Sequence, residues 1–489
     1  MIDLPLLSLL APMQESNIEA GVCNWSDIFS FDQQYSISIP DYQRPFVWDE
    51  SKVSTLVNDW QQYLKETDIP FYYMGGILFY NKKDTNGNTQ YEIIDGQQRL
   101  TTLLIIDYLI NSNSSVLHKN EINLKLVFNN SISQNHIIKI KDYIKGEFET
   151  FKLAWDKIRE KLLFSLIITY NQDDAFSFFE TQNNRGVKLS SVDYLKSYHL
   201  RELKNDMDKQ RVLAKKWDSS NKEQFLKGLY ENILYRSRCW KGKDVEYANQ
   251  KNILEEFQTK TITSNKENSI SLFPTRNNCL AQSMSYSVTK GIKLNTQDIS
   301  LHSNSIDLPF AMRQPLEKGI GFFLYTDKYS EMYNYLFDDQ NTDTDFANFK
   351  DFYRKIYLNN GLSIYLVELF KLCCMFYFDK FGVNRLFDFA NYLDYMIGSY
   401  RITQSSIVAR TSVKILRDKQ QNLLDIIAYS FVPQEVFDFI VANTDENIYK
   451  NDTIEINANV RGRYKKSIVD YFRLPNSLKN RKQFLNDKK

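Results

Sequence analysis

The chain has 489 residues, with 61 Lys+Arg against 60 Asp+Glu for a net charge of +1, and that length has room for roughly three domains at ~150 residues each. The charge balance excludes a bulk polycation, so any contact with nucleic acid has to come from a local basic patch. Aromatic residues make up 14%, with 33 Phe and 31 Tyr; most are core, and their abundance alone does not indicate base stacking. Five cysteines (Cys23, Cys239, Cys279, Cys373, Cys374) are scattered and form no CxxC pair, which excludes a cysteine zinc site and points to a reducing compartment. The opening MIDLPLLSLLAPM carries Asp3 and no basic n-region, unlike a secretory signal. The most apolar later stretch, IYLVELFKLCCMFYF, contains Glu368 and Lys371 and is too short to span a bilayer. The expectation is a soluble, cytoplasmic protein that does not engage a membrane.

In chain order, YSISIP (35–40) reads as a strand that stops at Pro40. The polar stretch around Gln43 and Arg44 follows, and Asp49 can cap a helix with Val53, Leu56, Val57, Trp60 and Leu64 on one face. FYYMGGILFY (71–80) is a second strand, and NKKDTNGNTQ reads as a hairpin loop with Asn86-Gly87 as its turn. YEIID returns as the antiparallel partner. Gly75-Gly76 would weaken a strand, so the pair marks close approach of a ligand or another backbone. After Asp95 the chain has room for one tight turn, with Gly96 the only residue free to take positive φ cheaply. A helix opening on Gln97, Gln98 and Arg99 presents unpaired N–H groups and a positive dipole end. An arginine there is locally unfavourable unless an anion joins it.

Helical patterns dominate from residue 97 onward. In FFETQNNRGVKLSSVDYLKSYHL (178–200), Gly186 ends one helix, Ser190 caps the next, Asp193 completes a capping box, and Leu189 and Tyr194 fit a hydrophobic staple. Capping does not account for Asn183, Asn184, Arg185 and Lys188. The Ser-, Asn- and Thr-rich stretch from about 260 to 307 reads as a long loop or weakly structured crossing. Residues 461–489 hold ten Lys/Arg against Asp470 and Asp487. A charge run at that position is often a solvated, frayed tail. Here Ile468, Val469, Tyr471, Phe472 and Leu474 interleave the cations, which suggests a docked segment whose outer face could hold DNA through Arg461, Arg463, Lys465, Lys466, Arg473, Lys479, Arg481 and Lys482.

These polar stretches resemble the N-terminal domain of GmrSD-type modification-dependent restriction proteins. The family's IDGQQRLTTL block is intact at Ile94 to Leu103; Ile39-Pro40, Tyr42-Gln43-Arg44 and Trp48 match IPxYQRxxxW; Tyr73 to Ile77 match the glycine strand; Phe179 to Lys196 match the later RG/LS block. The motifs run in the family's order over residues 37 to 200. The resemblance implies an α+β chain: a small ParB/sulfiredoxin-like mixed-sheet domain at 1–200 (core about 30–110, helical extension to 200), then a mostly α-helical region at 201–489.

The resemblance also implies nucleotide binding, often with NTP hydrolysis, in defence against foreign DNA. Phosphate or nucleotide contacts then fall to Gln43, Arg44, Gly75, Gly76, Gly96, Arg99, Thr101, Asn184, Arg185 and Lys188, with Arg44 and Arg99 able to grip phosphate oxygens in a fork. Asp95, Gln97 and Gln98 are the catalytic candidates, Asp95 as the ligand of Mg²⁺ bound with the NTP. No GxxxxGK[ST] motif occurs, so an ordinary P-loop is ruled out. Relatives that cut DNA themselves carry a C-terminal His-Asn-His-type nuclease, whereas His118, His136, His199 and His302 leave the last 187 residues without histidine. The expectation is therefore an NTP-binding and NTP-hydrolysing protein that senses DNA or a partner, with cleavage supplied by a separately encoded nuclease or a homologous subunit. The alternative is a non-catalytic, nucleotide-gated or DNA-phosphate-binding module.

Overall fold

A computed structural model describes residues 11–12, 18–29, 35–40, 43–65, 70–83, 89–118, 123–128, 130–171, 174–175, 178, 190–203, 206–218, 223–263, 270–273, 281–287, 291–296, 305–338, 346–358, 362–417, 421–456 and 459–485. The Asn86-Gly87 turn, Gly186 and Leu189 lie outside them. The chain folds as two compact units, Met1–Glu223 and Gln224–Lys489.

The first unit is built on a seven-stranded mixed sheet of order β1-β2-β7-β4-β5-β3-β6. Its strands are β1 (Ala11–Pro12), β2 (Ile18–Asn24), β3 (Tyr35–Ser38), β4 (Tyr72–Lys83), β5 (Thr89–Asp95), β6 (Asn123–Lys125) and β7 (Leu162–Thr169). The expected antiparallel pairing of β4 with β5 is present, and β3 runs parallel to both β5 and β6. One interior strand is concealed by the helical pattern after residue 97: β7 pairs parallel with β4 and antiparallel with β2. LLFSLIIT alternates between buried and half-buried positions, the period-2 pattern of a strand.

Helices α1 (Glu50–Tyr63), α2 (Gln97–Asn111), α3 (Ser131–Gly146), α4 (Phe148–Ile158), α5 (Ser191–Arg201) and α6 (Met207–Asp218) complete the unit. Asp49 caps α1 by accepting from the Lys52 amide at 3.0 Å, which leaves Val53, Leu56, Val57 and Trp60 facing the core. There Trp155 of α4 meets Trp60 and Trp25, with ring centroids 5.8 and 5.7 Å away. The capping box at α5 forms as read: the Ser190 hydroxyl accepts from the Asp193 amide, and the Asp193 carboxylate accepts from the Ser190 amide. A division at residue 200 falls inside the last turn of α5. By packing, α6 goes with the first unit, since Asp218 reaches the buried Lys196 of α5 at 2.8 Å.

The second unit is helical. It contains α7 (Glu223–Leu229), a π-helical turn at Tyr230–Leu234, α8 (Tyr235–Cys239), α9 (Gln250–Leu254), α10 (Ile320–Phe337), α11 (Ala347–Phe352), α12 (Ile364–Phe381), α13 (Leu386–Thr403), α14 (Ala409–Arg417), α15 (Leu423–Tyr429), α16 (Pro433–Ala442), α17 (Asn447–Lys450) and α18 (Val460–Phe472). The 260–307 stretch is not only loop: β8 (Ala281–Ser287) and β9 (Gly291–Thr296) form an antiparallel hairpin. α12 and α13 bury most of their surfaces against stacked aromatics, such as Tyr377 on Phe389 at 4.1 Å and Tyr392 on Phe437 at 4.6 Å. Among the described residues, no helix is long and apolar enough to cross a membrane.

The basic C-terminal segment is ordered and docked, not frayed, through residue 485. Asn459 caps α18 by accepting from the Arg461 and Gly462 amides. Arg481 is wholly buried, 3.1 Å from the equally buried Asp394 of α13. Asp394 also accepts from the hydroxyls of Tyr357 and Tyr464. Burial pushes its carboxyl up from the ordinary range, and the Arg481 guanidinium opposes that shift.

Candidate functional site

Tyr72 to Leu78 follow the sheet, but the glycine pair breaks its regularity. The register of β4 against β7 shifts between Tyr73 and Gly75, and Gly75 has φ +102°. The bulge turns two carbonyls toward α2, and Arg99 takes both: Nη1 donates to Met74 O at 3.0 Å and Nη2 to Gly76 O at 2.6 Å. A Cβ on Gly75 would fall 1.9 Å from Arg99 Nη1. The close approach expected of the glycine strand is therefore to an arginine of the same chain.

Gly96 sits at φ +92° and begins α2 with no side-chain cap. A Cβ there would meet Gly76 O at 3.3 Å and Ile77 Cγ1 at 3.2 Å. The first-turn amides of α2 are consequently left to whatever fills the space in front of them. That space is a cavity of about 770 Å³. The four motif stretches do not contribute equally to its wall. Gln43, Arg44, Gly76, Asp95, Gly96, Gln97, Gln98 and Arg99 line it, while Gly75 and Thr101 do not. Sequence reasoning gave no role to three further lining groups: Lys52 on α1, and the Tyr73–Ser165 pair, whose hydroxyl oxygens are 3.0 Å apart. Lys52 stands three residues after the Asp49 cap, a position visible in the sequence; Ser165 lies on the strand that was not foreseen.

Several candidate residues prove to be braces. Gln98 Oε1 accepts from the Val47 and Trp48 amides at 2.9 and 3.2 Å, and its Nε2 donates to Pro45 O at 3.0 Å. Its amide is engaged at both ends in holding the 45–48 loop. Gln43 Nε2 donates to the Ile93 and Ile94 carbonyls, tying the strand-end loop to β5. Arg99 serves two carbonyls and lies 3.5 Å from Asp95, so it acts first as a clamp on β4. Thr101 is buried within α2 with Oγ1 unpartnered, behind the cavity wall and not at its surface.

Arg44, Lys52, Asp95 and Gln97 also line the cavity. Asp95 is about one-third exposed (32%). Gln97 is 5% exposed, and its Oε1 has no hydrogen-bond partner. An orphan acceptor in a nearly closed position is costly unless something occupies it. A carboxylate and a neutral oxygen donor are ligand types that suit a magnesium ion taking its remaining ligands from phosphates and water; among the described residues, no cluster of three His, Cys, Asp or Glu forms a protein-only metal cage. Asn184, Arg185 and Lys188 lie outside the described residues.

Residues 25–200 match the GmrSD restriction endonuclease, N-terminal domain. Residues 209–456, just over half of the chain, match a family of unknown function, DUF7834. The chain is a DUF7834 member with a GmrSD N-terminal domain. The chain matches no curated protein. In the GmrSD domain the matched span carries every described residue of the cavity wall, from Gln43 to Phe178, and ties the chain to a restriction-related role.

The eight C-terminal cations divide sharply. Arg481 is spent on Asp394, and Lys465 is buried 2.8 Å from Asp452. Lys482 pairs with Glu446 at 2.8 Å while remaining partly exposed. Arg463, Lys466, Arg473 and Lys479 are exposed and Arg461 half-buried. The basic face expected from the sequence is thus six residues and not eight, with Lys482 on it though paired. Arg481 and Lys465 face inward because each neutralises a buried carboxylate that would otherwise be stranded.

Proposed function

We propose that the GmrSD domain binds a nucleoside triphosphate with magnesium and hydrolyses it, in the service of a restriction-type defence against foreign DNA. The observation that carries this is the uncapped N-terminus of α2, opening beside Asp95 into a cavity rimmed by Arg44, Lys52 and Arg99. Unpaired amides, a dipole end and three cations gather where a polyphosphate places its charge. Arg44 and Lys52 neutralise phosphate oxygens directly, Arg99 keeps the glycine strand back, and Asp95 with Gln97 Oε1 would hold the metal or the attacking water. When bound, magnesium supplies neutralisation of the phosphate charge.

DNA or partner sensing falls on this reading to the helical unit, and cutting falls to another subunit. Two of the three described histidines support the second point: His199 is completely buried and His136 Nδ1 lies 3.0 Å from Trp48 O, so both serve the fold. The rival reading, a nucleotide-gated module that binds without turnover, uses the same cavity. Phosphate release from NTPs with magnesium separates the two. Asp95→Asn is expected to keep nucleotide affinity within a few-fold and to abolish release. Release at the wild-type rate from Asp95→Asn would remove Asp95 from the chemistry, and tight binding without release by the unmodified protein would favour the rival.

A further inference from the structure

Beyond the wall formed by Gln43, Arg44 and Gln97 lies a second cavity of about 270 Å³, which shares those three residues with the larger one. Its character is different. The larger cavity has glycine backbone, three cations and one carboxylate. The smaller is walled by Ile39, Pro40, Pro45, Val127 and Phe128 on its apolar sides and by Asn130, Ser131 and Gln134 at the start of α3. Arg44 and, from α6, Lys215 and Asp218 also line it, Asp218 paired with Lys196. Apolar walls with neutral amides are what reading the edge of a planar heterocycle requires, since Asn and Gln can donate and accept at once. They offer little to phosphate, which calls for cations and N–H groups.

Gln134 is held for such a role, its Nε2 donating to Phe128 O at 2.9 Å. Asn130 accepts from the Ser133 amide at 2.7 Å and so keeps its Nδ2 free of the cap. Gln97, whose Oε1 is buried and unpartnered, lines both chambers. We propose that the smaller cavity is the nucleoside subsite: the base enters between Phe128 and Pro45, and the phosphates pass the Gln43–Arg44–Gln97 wall to the N-terminus of α2. This rests on the triphosphate reading above and adds which end of the ligand lies where.

The test uses the full chain and calorimetry with inorganic triphosphate, ATP, GTP, CTP and UTP, each with magnesium. The expected result is that at least one nucleotide binds ten-fold or more tighter than inorganic triphosphate. Ser131→Trp, at an exposed position on the rim, should erase that advantage while leaving inorganic triphosphate within two-fold. If Ser131→Trp fails to fold, Gln134→Ala should change the ranking of the four bases. Equal affinity for inorganic triphosphate and every nucleotide overturns the subsite, as does loss of the advantage in Trp48→Ala with Ser131→Trp unaffected, which would put the base in the larger chamber. If neither inorganic triphosphate nor any nucleotide binds, the triphosphate reading itself falls, and the subsite with it.

Discussion

Replacing Gly75 by alanine tests whether Arg99 is a clamp on the sheet or a free phosphate ligand. The new Cβ would overlap Arg99 Nη1 at 1.9 Å, so the guanidinium must swing away and surrender the Met74 and Gly76 carbonyls. Each charge-assisted bond of this kind contributes roughly 1.5–3 kcal/mol when buried, and the quarter exposure of the Arg99 side chain (26%) argues for about 1 kcal/mol apiece once water can replace them. Holding a non-glycine residue at φ +102° adds about 1–2 kcal/mol. Against this, alanine stiffens the unfolded chain and returns about 0.4–1 kcal/mol. The net loss is about 2–3 kcal/mol, read by urea unfolding at constant m. Arg99→Ala alone should cost about 2 kcal/mol through the same two carbonyls. Since both variants delete one contact, the double variant should fall short of the sum by about 1.5–2 kcal/mol. Additivity within about 0.5 kcal/mol, or a stable Arg99→Ala that merely binds nucleotide less well, would refute the clamp and restore Arg99 as a ligand group.

Arg481→Ala should destabilise the second unit by about 3–5 kcal/mol, because it strands a buried carboxylate; Arg481→Met with Asp394→Leu should recover most of that in the same denaturant titration. Cys373 and Cys374 are fully buried and burial raises both thiols, so both remain protonated at neutral and mildly alkaline pH, and a thiol reagent should label them only on unfolding; prompt labelling of the native chain would contradict the packing of α12. If the exposed C-terminal cations hold DNA, changing Arg463, Lys466, Arg473 and Lys479 to glutamine should flatten the log–log salt dependence by about 0.9 per lost phosphate contact and leave nucleotide binding intact. An unchanged slope would remove this face from DNA recognition.

What could be read from the sequence follows from how local each signal is. The β4–β5 pair, the α1 cap, the glycine turn into α2 and the Ser190–Asp193 box are written within a few residues, and each formed as read. β7 was hidden because its apolar run follows directly on the helical KLAWDKIREK, where only the alternation of LLFSLIIT marks the change of period. The β8–β9 hairpin has a polar, serine-rich first strand, which composition cannot tell from a loop. In the site, the residue types were legible but their employment was not. Gln98 and Arg99 look like ligand groups until the carbonyls of Met74, Gly76 and Pro45 are placed beside them. A charged tail likewise gives no sign that Arg481 has a partner 87 positions earlier in Asp394.

The pairing of β2 with β7 has a consequence for synthesis. Among the described residues, apart from the two-residue β1, β2 has no neighbour in the sheet except β7, and Gly21 lies opposite Leu166. At ~5–20 residues per second, the ribosome needs roughly 7–30 s to deliver that partner after β2 has emerged. For that interval the newborn chain presents Val22 and Cys23 on an open strand edge, ready to pair with the same edge on a neighbouring polysome chain. Loop closure over such a distance also makes the centre of the sheet a late event, after the β4–β5 hairpin and its helices have formed. Yield on overexpression should therefore track translation speed and chaperone supply more closely than the stability of the finished sheet.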